Sequence, residues 1–323
     1  MGRYPEADLH RLRRTSIEQR ASLVGAPSLA RPPADPGSFE QFWDGLPDLL
    51  AARELKLLVR AILAARRDGR PVVWMFGAHV VKTGLVPLLI RLLDEDLATL
   101  CAVNGAFAIH EAELALWGET SEAVADALPS GRFGMARETA AFVNGASLEA
   151  ADRGEGLGEA LGRLLLARRE AWRIPSFLGA CYERGIPATV HVAIGTDIVH
   201  QHPDFSGEAT GAASARDFRI LAAHLQDLAG AVVLNVGSAV LLPEVFLKAC
   251  SVAINLGASS ERLVTATLDF AVNYRCAENV VRRPPGPGGR GCYILGHHEL
   301  LLPLLFQGLL LERDRATSSG GSR

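Results

Sequence analysis

The chain has 323 residues, 49% hydrophobic and 21% charged, enough apolar material for a large core and ordinary for a globular protein of one large domain or two small ones. Thirty-three basic against 36 acidic residues leave a formal charge of -3, which provides no basic field for nucleic acid and no polybasic patch for a membrane surface. The five cysteines, Cys101, Cys181, Cys250, Cys276 and Cys292, are scattered, form no CxxC pair and mostly fall in apolar runs, so buried, reduced thiols of a cytoplasmic protein are expected. The N-terminus lacks the apolar segment of a secretory signal. The apolar run from Leu300 to Leu311 is too short for a membrane span and contains Pro303 and Gln307.

Residues 1–37 are rich in Arg and Pro and read as an N-terminal arm. Two helical stretches follow, 38–50 and 51–67, the second with Leu55, Leu58, Ile62 and Leu63 on one face. PVVWMFG (71–77) reads as the first strand, AHVVKTG as its loop and LVPLLIRLLDED as a helix. LATLCAVNG (97–105) and AFAIHEAELALWG repeat the unit, and Thr120 and Glu122 start a further helix. Residues 129–158 are richer in Gly and polar side chains and read as an excursion, a lid or subunit contact. Helices at 158–170 and Ser176–Arg184 lead to a third strand at 187–194.

A Gly-rich loop (206–213), a helix from Ser214 to Leu228 capped by Ser214, and the strand AVVLNVG come next. A helix stopped by Gly257, the strand LVTATLDF (263–270), a loop containing RRPPGPGGRG, the short strand CYILG and a closing helix complete the order; 316–323 reads as a flexible tail. Six strands alternating with helices predict a single α/β domain over 38–315, doubly wound, with a mostly parallel, six-stranded, Rossmann-like sheet and helices on both faces.

In such a sheet ligands bind at the carboxyl ends of the strands, and that is where the ionisable residues gather. Strand one is followed by Gly77, His79, Lys82 and Gly84; strand two by Asn104, Gly105, His110 and Glu111; strand three by Thr196, Asp197, His200 and His202. Strand four is followed by Asn235, Gly237 and Ser238, strand five ends at Asp269, and strand six leads to His297, His298 and Glu299. Six of the nine histidines therefore lie just after a strand, which points to one polar cleft. Lys82 is one of only three lysines beside thirty arginines, and stands out as a nucleophile or an anion-binding group.

GAHVVKTG and NVGS have the character of anion-binding turns, although neither GxGxxG nor a P-loop is present. Asp197, His200 and His202 also have the chemistry of metal ligands, which leaves a metal-dependent hydrolase or lyase as an alternative. A non-catalytic nucleotide-binding protein is a third reading.

The order and character of the loops, with NGAFAIHEAELAL, HVAIGTDIVHQ, VVLNVGSAVLLPEVFLKA and VTATLDF after or within successive strands, resembles deoxyhypusine synthase over roughly residues 70–310. The resemblance implies an NAD-dependent, Rossmann-like homo-oligomer, a dimer or tetramer, with sites between paired subunits. That family's cofactor loop falls on Val103, Asn104, Gly105 and Ala106, with its acidic neighbourhood on His110 and Glu111. Its Ser-Asn turn falls on Ala78 and His79, its Thr-Asp on Thr196 and Asp197, its glycine triplet on Asn235, Val236 and Gly237, and its late aspartate on His297.

The substrate side departs from the family. RRPPGPGGRGCY holds no lysine where the family carries its imine-forming one, and the polyamine-binding acid and a later histidine fall near His202 and Leu241. With the covalent route closed, the resemblance implies an NAD-dependent transferase or oxidoreductase acting on a small molecule other than the spermidine and lysine pair. His79, Asn104, Gly105, Glu111, Thr196, Asp197, Gly237 and His297 then face the cofactor, and His200, His202, His298 and Lys82 are the candidate catalytic groups.

Overall fold

The computed structural model describes residues 37–320 together with Leu29 and Arg31; almost all of the expected N-terminal arm, and residues 321–323 of the expected tail, lie outside the described residues. The chain divides into two compact units, Met1–Arg53 and Glu54–Arg323. In the first, helix α1 (Phe39–Gly45) opens with a capping box, in which the Ser38 side chain accepts from Gln41 N and the Gln41 side chain accepts from Ser38 N. Phe39 packs its ring against Phe42 and Trp43, and Arg31 donates to the Asp44 carbonyl. Helix α2 (Leu50–Arg67) follows.

The second unit is built on six parallel strands in the order β3-β2-β1-β4-β5-β6. They are β1 (Val72–Phe76), β2 (Leu100–Asn104), β3 (Ala188–His191), β4 (Val232–Val236), β5 (Val264–Asp269) and β6 (Arg290–Leu295). All six expected strands form, and the sheet is entirely parallel. The near-continuous apolar runs follow from burial on both faces.

Alternation along β1 separates the two layers. Val73 and Met75 pack with Leu221 and Leu225 and with Phe246 and Ala249. On the other face Trp74 and Phe76 stack, and Phe76 meets Phe107 and Phe177.

The first layer's helices are α10 (Gly207–His224) and α11 (Leu241–Asn255), and the second's include α5 (Gly105–Trp117) and α9 (Phe177–Glu183). Short α3 (His79–Lys82) and α4 (Val86–Asp94) connect β1 to β2. Between α5 and α9 the chain forms α6 (Val124–Ala127), α7 (Arg137–Arg153) and α8 (Leu157–Leu166). After β5 come α12 (Tyr274–Cys276) and a π-helical turn (Ala277–Arg282); α13 (His298–Gly320) closes the order. All five cysteines are buried and free, as expected.

Three local expectations are corrected. The segment 129–158 contains the regular helix α7, which buries Ala140, Phe142, Val143, Ala146 and Ala150; its buried face is mostly small and includes the polar Thr139, Asn144 and Ser147, so it reads as weakly amphipathic. Helix α10 begins at Gly207, capped by the Ser206 side chain on Ala209 N, and its first turns take up the stretch read as a Gly-rich loop. Ser214 is therefore inside a helix, where its hydroxyl donates to the Val190 carbonyl and accepts from Val192 N. The helix expected to start at Thr120 and Glu122 reduces to the four residues of α6, after Ser121 turns to φ 70°.

Buried acids fasten helices to strands. Asp217 of α10 accepts from Gly158 N and Val190 N, so one carboxylate joins α8, β3 and α10. At Gly158 itself an added Cβ would stand 2.0 Å from the Ala188 carbonyl oxygen. We expect Gly158→Ala to separate α8 from β3 and lower stability by about 1–3 kcal/mol, as overpacking does. A urea midpoint that does not fall would show that this junction yields freely.

Candidate functional site

The carboxyl edge of the sheet carries two groups of side chains, one on each side of β1. The first forms where the loops after β2 and β3 meet. Asn104 caps α5 by accepting from Phe107 N at 2.9 Å, so Gly105 opens the helix without a side chain. The Asp197 carboxylate fills the space in front of it, with Oδ2 only 2.1 Å from where a Gly105 Cβ would stand.

Asp197 also caps the turn Ile198–Gln201, while His200 Nδ1 accepts from Gly195 N at 3.1 Å and from Asp197 N at 3.3 Å. Burial pushes the Asp197 carboxyl up to about 6 and His200 downward. With Nδ1 accepting, a neutral His200 carries its proton on Nε2, 4.0 Å from Asp197 Oδ2.

The second group surrounds His298. β1 and β4 are adjacent although the chain leaves one and returns to the other by opposite routes, the topological switch point at which open α/β sheets bind ligands. Here a Cβ on Gly77 would stand 2.0 Å from the Gly237 carbonyl oxygen, so the two loops touch backbone to backbone. Gly237 has φ +71°, and its missing Cβ would lie 3.1 Å from His298 Cε1.

His298 is buried, and its Nε2 bonds to the Leu268 carbonyl at 3.1 Å; that N–H fixes the proton on Nε2 and leaves Nδ1 an acceptor. Nδ1 is buried without a hydrogen-bond partner among the described residues. His79 lies at 5.2 Å from the His298 ring and 5.5 Å from the ring of Phe270, which is 57% exposed. Burial lowers the His298 pKa, so the ring is neutral near pH 7.

A cavity of about 150 Å³ opens beside the first group, lined by Lys82, His110, Glu113, Glu122, Thr196 and Asp197 among others. Lys82 is exposed there and makes no hydrogen bond or ion pair among the described residues. His110 Nδ1 bonds to Thr120 Oγ1 at 2.7 Å, Thr120 donates to Glu113 Oε2 at 2.5 Å, and Thr139 donates to Glu113 Oε1 at 2.8 Å. Glu113 and Thr120 are absent from the residues selected by sequence. The available signal is the i, i+3 spacing of His110 and Glu113 on one helix, which is too common to select a pair.

Other expected site residues are engaged in holding the scaffold or are exposed. Glu111 is buried at the start of α9, where Oε1 accepts from Ser176 Oγ and Phe177 N, both at 2.6 Å, so it holds a helix N-terminus and does not reach the cleft. His202 Nε2 bonds the Gly134 carbonyl at 2.8 Å, and Thr196 Oγ1 donates to the Ala193 carbonyl at 2.7 Å; both hold loops. His297 is exposed, with Nδ1 3.8 Å from Glu299 Oε1.

Of the three side chains of the metal alternative, Asp197 and His200 lie together, whereas His202 is engaged with the Gly134 carbonyl. Among the described residues no group of three His, Cys, Asp or Glu side chains is placed to hold a metal ion. No helix of the described residues is long and apolar enough to cross a membrane.

No protein-family model matches the sequence, and no curated sequence is similar to it. Solved structures are similar in fold. A conserved protein proposed to be of the LOR/SDH type, from Methanococcus maripaludis S2, superposes with a TM-score of 0.52 at 15% identity, over 88% of this chain and 74% of that one. AgrE, in a ternary complex with ornithine and NAD+, gives 0.50 at 16% identity, over 83% of this chain and 33% of that one. A proposed deoxyhypusine synthase from Entamoeba histolytica gives 0.47 at 9% identity, over 85% and 94%. The chain spans about a third of the length of AgrE and of the arginine dihydrolase ArgZ. At these identities the likeness is one of fold, and the specific family suggested by the loops is not shown.

Burial raises the Glu111 carboxyl to about 7, against the hydrogen bonds from Ser176, Phe177 and Leu178. A carboxyl whose folded pKa lies above its unfolded value of about 4.3 contributes stability that is full below that value and lost as pH rises through the folded pKa. Glu111→Gln, which keeps an acceptor for the α9 amides without the charge, is therefore expected to gain on the wild type as pH rises from 5 to 8. Parallel urea midpoints across that range would contradict the assignment.

Proposed function

We propose that the chain is an NAD-dependent enzyme of deoxyhypusine synthase-like fold, acting on a small molecule other than the spermidine and lysine pair. The observation that carries this reading is the switch point between β1 and β4, where two glycines let the central loops touch backbone to backbone and a buried imidazole keeps an acceptor without a partner. A switch-point crevice suits a dinucleotide, and an unpaired buried acceptor suits a ribose hydroxyl or an amide N–H. Phe270 supplies an exposed aromatic face beside His79. AgrE, of the same fold, is described in complex with NAD+ and ornithine, which supports both a nucleotide and a small polar substrate.

In this reading Gly77, Gly237, His79, His298 and Phe270 hold the cofactor, with Asn104, Gly105 and Asp197 bounding the neighbouring edge. NAD, when bound, supplies hydride acceptance or donation. The chain's own part is to bind, orient and move protons. Of the candidate catalytic groups, His200 and His202 hold the loop after β3 through one ring nitrogen each, Lys82 lines the cavity, and His298 Nδ1 is buried without a partner among the described residues. A metal-dependent reaction through Asp197, His200 and His202 is not supported, because those side chains do not converge.

NAD and NADH are expected to raise the melting temperature, by roughly 2.7 kcal/mol of added stability at about 100 times the dissociation constant. Phe270→Ala, a change at an exposed ring, should leave the ligand-free melting temperature unaltered and weaken the NAD effect several-fold. Absence of any shift with millimolar NAD, NADH or NADP would sink the proposal.

A further inference from the structure

Beside the first group, the cavity lined by Lys82, His110 and Glu113 contains an ordered chain of proton donors that the nucleotide reading does not use. A carboxylate only accepts, so Glu113 takes the Thr120 hydroxyl proton on Oε2 and the Thr139 hydroxyl proton on Oε1. The Thr120 oxygen, having given its own proton to Glu113, must accept from His110 Nδ1. The imidazole is thereby fixed as the Nδ1–H tautomer, and Nε2 keeps its lone pair. No hydrogen bond to Nε2 occurs among the described residues, and the side chain is 19% exposed on the cavity wall. This is how a histidine base is oriented by a third group, with a hydroxyl interposed between imidazole and carboxylate.

We propose that His110 is a proton-accepting catalytic residue for a small molecule that carries an anionic group and a hydroxyl. The anion pairs with Lys82 and the hydroxyl hydrogen-bonds to His110 Nε2. On reaction the hydroxyl proton moves to Nε2, the oxygen keeps the electron pair, and the imidazolium is balanced through Thr120 by the Glu113 carboxylate.

The cavity's carboxylates do not compete for Lys82. Each Glu113 oxygen accepts a hydroxyl, Glu122 accepts from Gly134 N through both oxygens, and Asp197 caps its own turn. Lys82 is the charged lining group left without a partner among the described residues. The charged groups that face His110 are Glu113 on its own helix, Lys82 on α3, and Glu122 and Asp197 across the cavity. Burial lowers the His110 pKa, Glu113 opposes this, and Lys82 adds to the depression, so the base is unprotonated near pH 7. A volume of about 150 Å³ suits a molecule of a few carbon atoms.

The test needs no nucleotide, so its outcome is separate from that of NAD binding. In ¹⁵N-labelled full-length protein, long-range ¹H–¹⁵N spectra report each imidazole's tautomer, and His110→Gln assigns the signal. The wild type is expected to show the Nδ1–H form at pH 7.5. In Glu113→Gln, Thr139 holds the amide oxygen, so the amide N–H₂ faces Thr120 and frees that hydroxyl to donate to Nδ1; the signal should move toward the Nε2–H form. Thr120→Val, a second variant that removes the link, should shift the same signal.

Lactate, as a probe with both a carboxylate and a hydroxyl, should perturb the His110 signal at tens of millimolar. Acetate should perturb it less, and Lys82→Met should abolish the lactate effect. An Nε2–H tautomer in the wild type, a tautomer indifferent to both variants, or a lactate response that survives Lys82→Met would each overturn the proposal.

Discussion

Parallel pairing of β1 with β4, at the point where the chain reverses its direction of winding, is the constraint on which the rest depends. Because strands on either side connect through helices that diverge from that point, the loops at the carboxyl ends open a crevice there. Gly77 and Gly237 let the two central loops touch through their backbones, and any side chain at Gly77 would collide with the Gly237 carbonyl. The positive φ of Gly237 turns the chain back toward α11 and sets it against His298, the first residue of α13. The switch point thus draws residues from β1, β4 and the last helix into one place, although they are far apart in sequence.

Around that centre, buried acids secure the helices. Asp217 joins α8 and β3 to α10, and Glu111 secures the N-terminus of α9 to α5. Both carboxyls are pushed up to about 7 because burial outweighs the hydrogen bonds they accept. An acidic residue near a Rossmann-like edge is therefore not by itself a ligand-binding group. The distinguishing property is whether its oxygens already have donors on the protein. Glu111, His200 and His202 are each tied to backbone groups of the scaffold, although Glu111 Oε2 is buried without a partner among the described residues. Lys82, His110 and His298 keep an open valence, two of them on one cavity wall and the third at the switch point.

The similarity to AgrE and to the LOR/SDH-type protein lies in the arrangement of strands and crossovers. At 15% and 16% identity it says nothing residue by residue about the loops. Loops are where these folds vary, because the sheet is already satisfied by its own pairing and by the helices that cover it. In the function proposed here the chemistry at the edge falls to the side chains of Lys82, His110, His298 and Phe270.

By itself the sequence determined the six strands, their parallel character and the edge on which polar residues gather. Buried parallel strands must be apolar along their whole length and must be followed by polar, turn-forming loops, and both properties are written locally. Local signals failed where a helix buries small residues. The polar, Gly-containing stretches that become α7 and the first turns of α10 have no strong apolar stripe, yet their narrow faces pack closely.

Only the tertiary structure decided which ionisable residues hold the scaffold and which remain open. A histidine that holds its own loop, as His200 does, and one aligned by Thr120 and Glu113, as His110 is, look alike in sequence. Their partners are set by how α5, the loop after β3 and α7 come together. Hydrogen-bond valence is a property of that assembly, because each donor can be spent once and the competing acceptors come from elements distant along the chain.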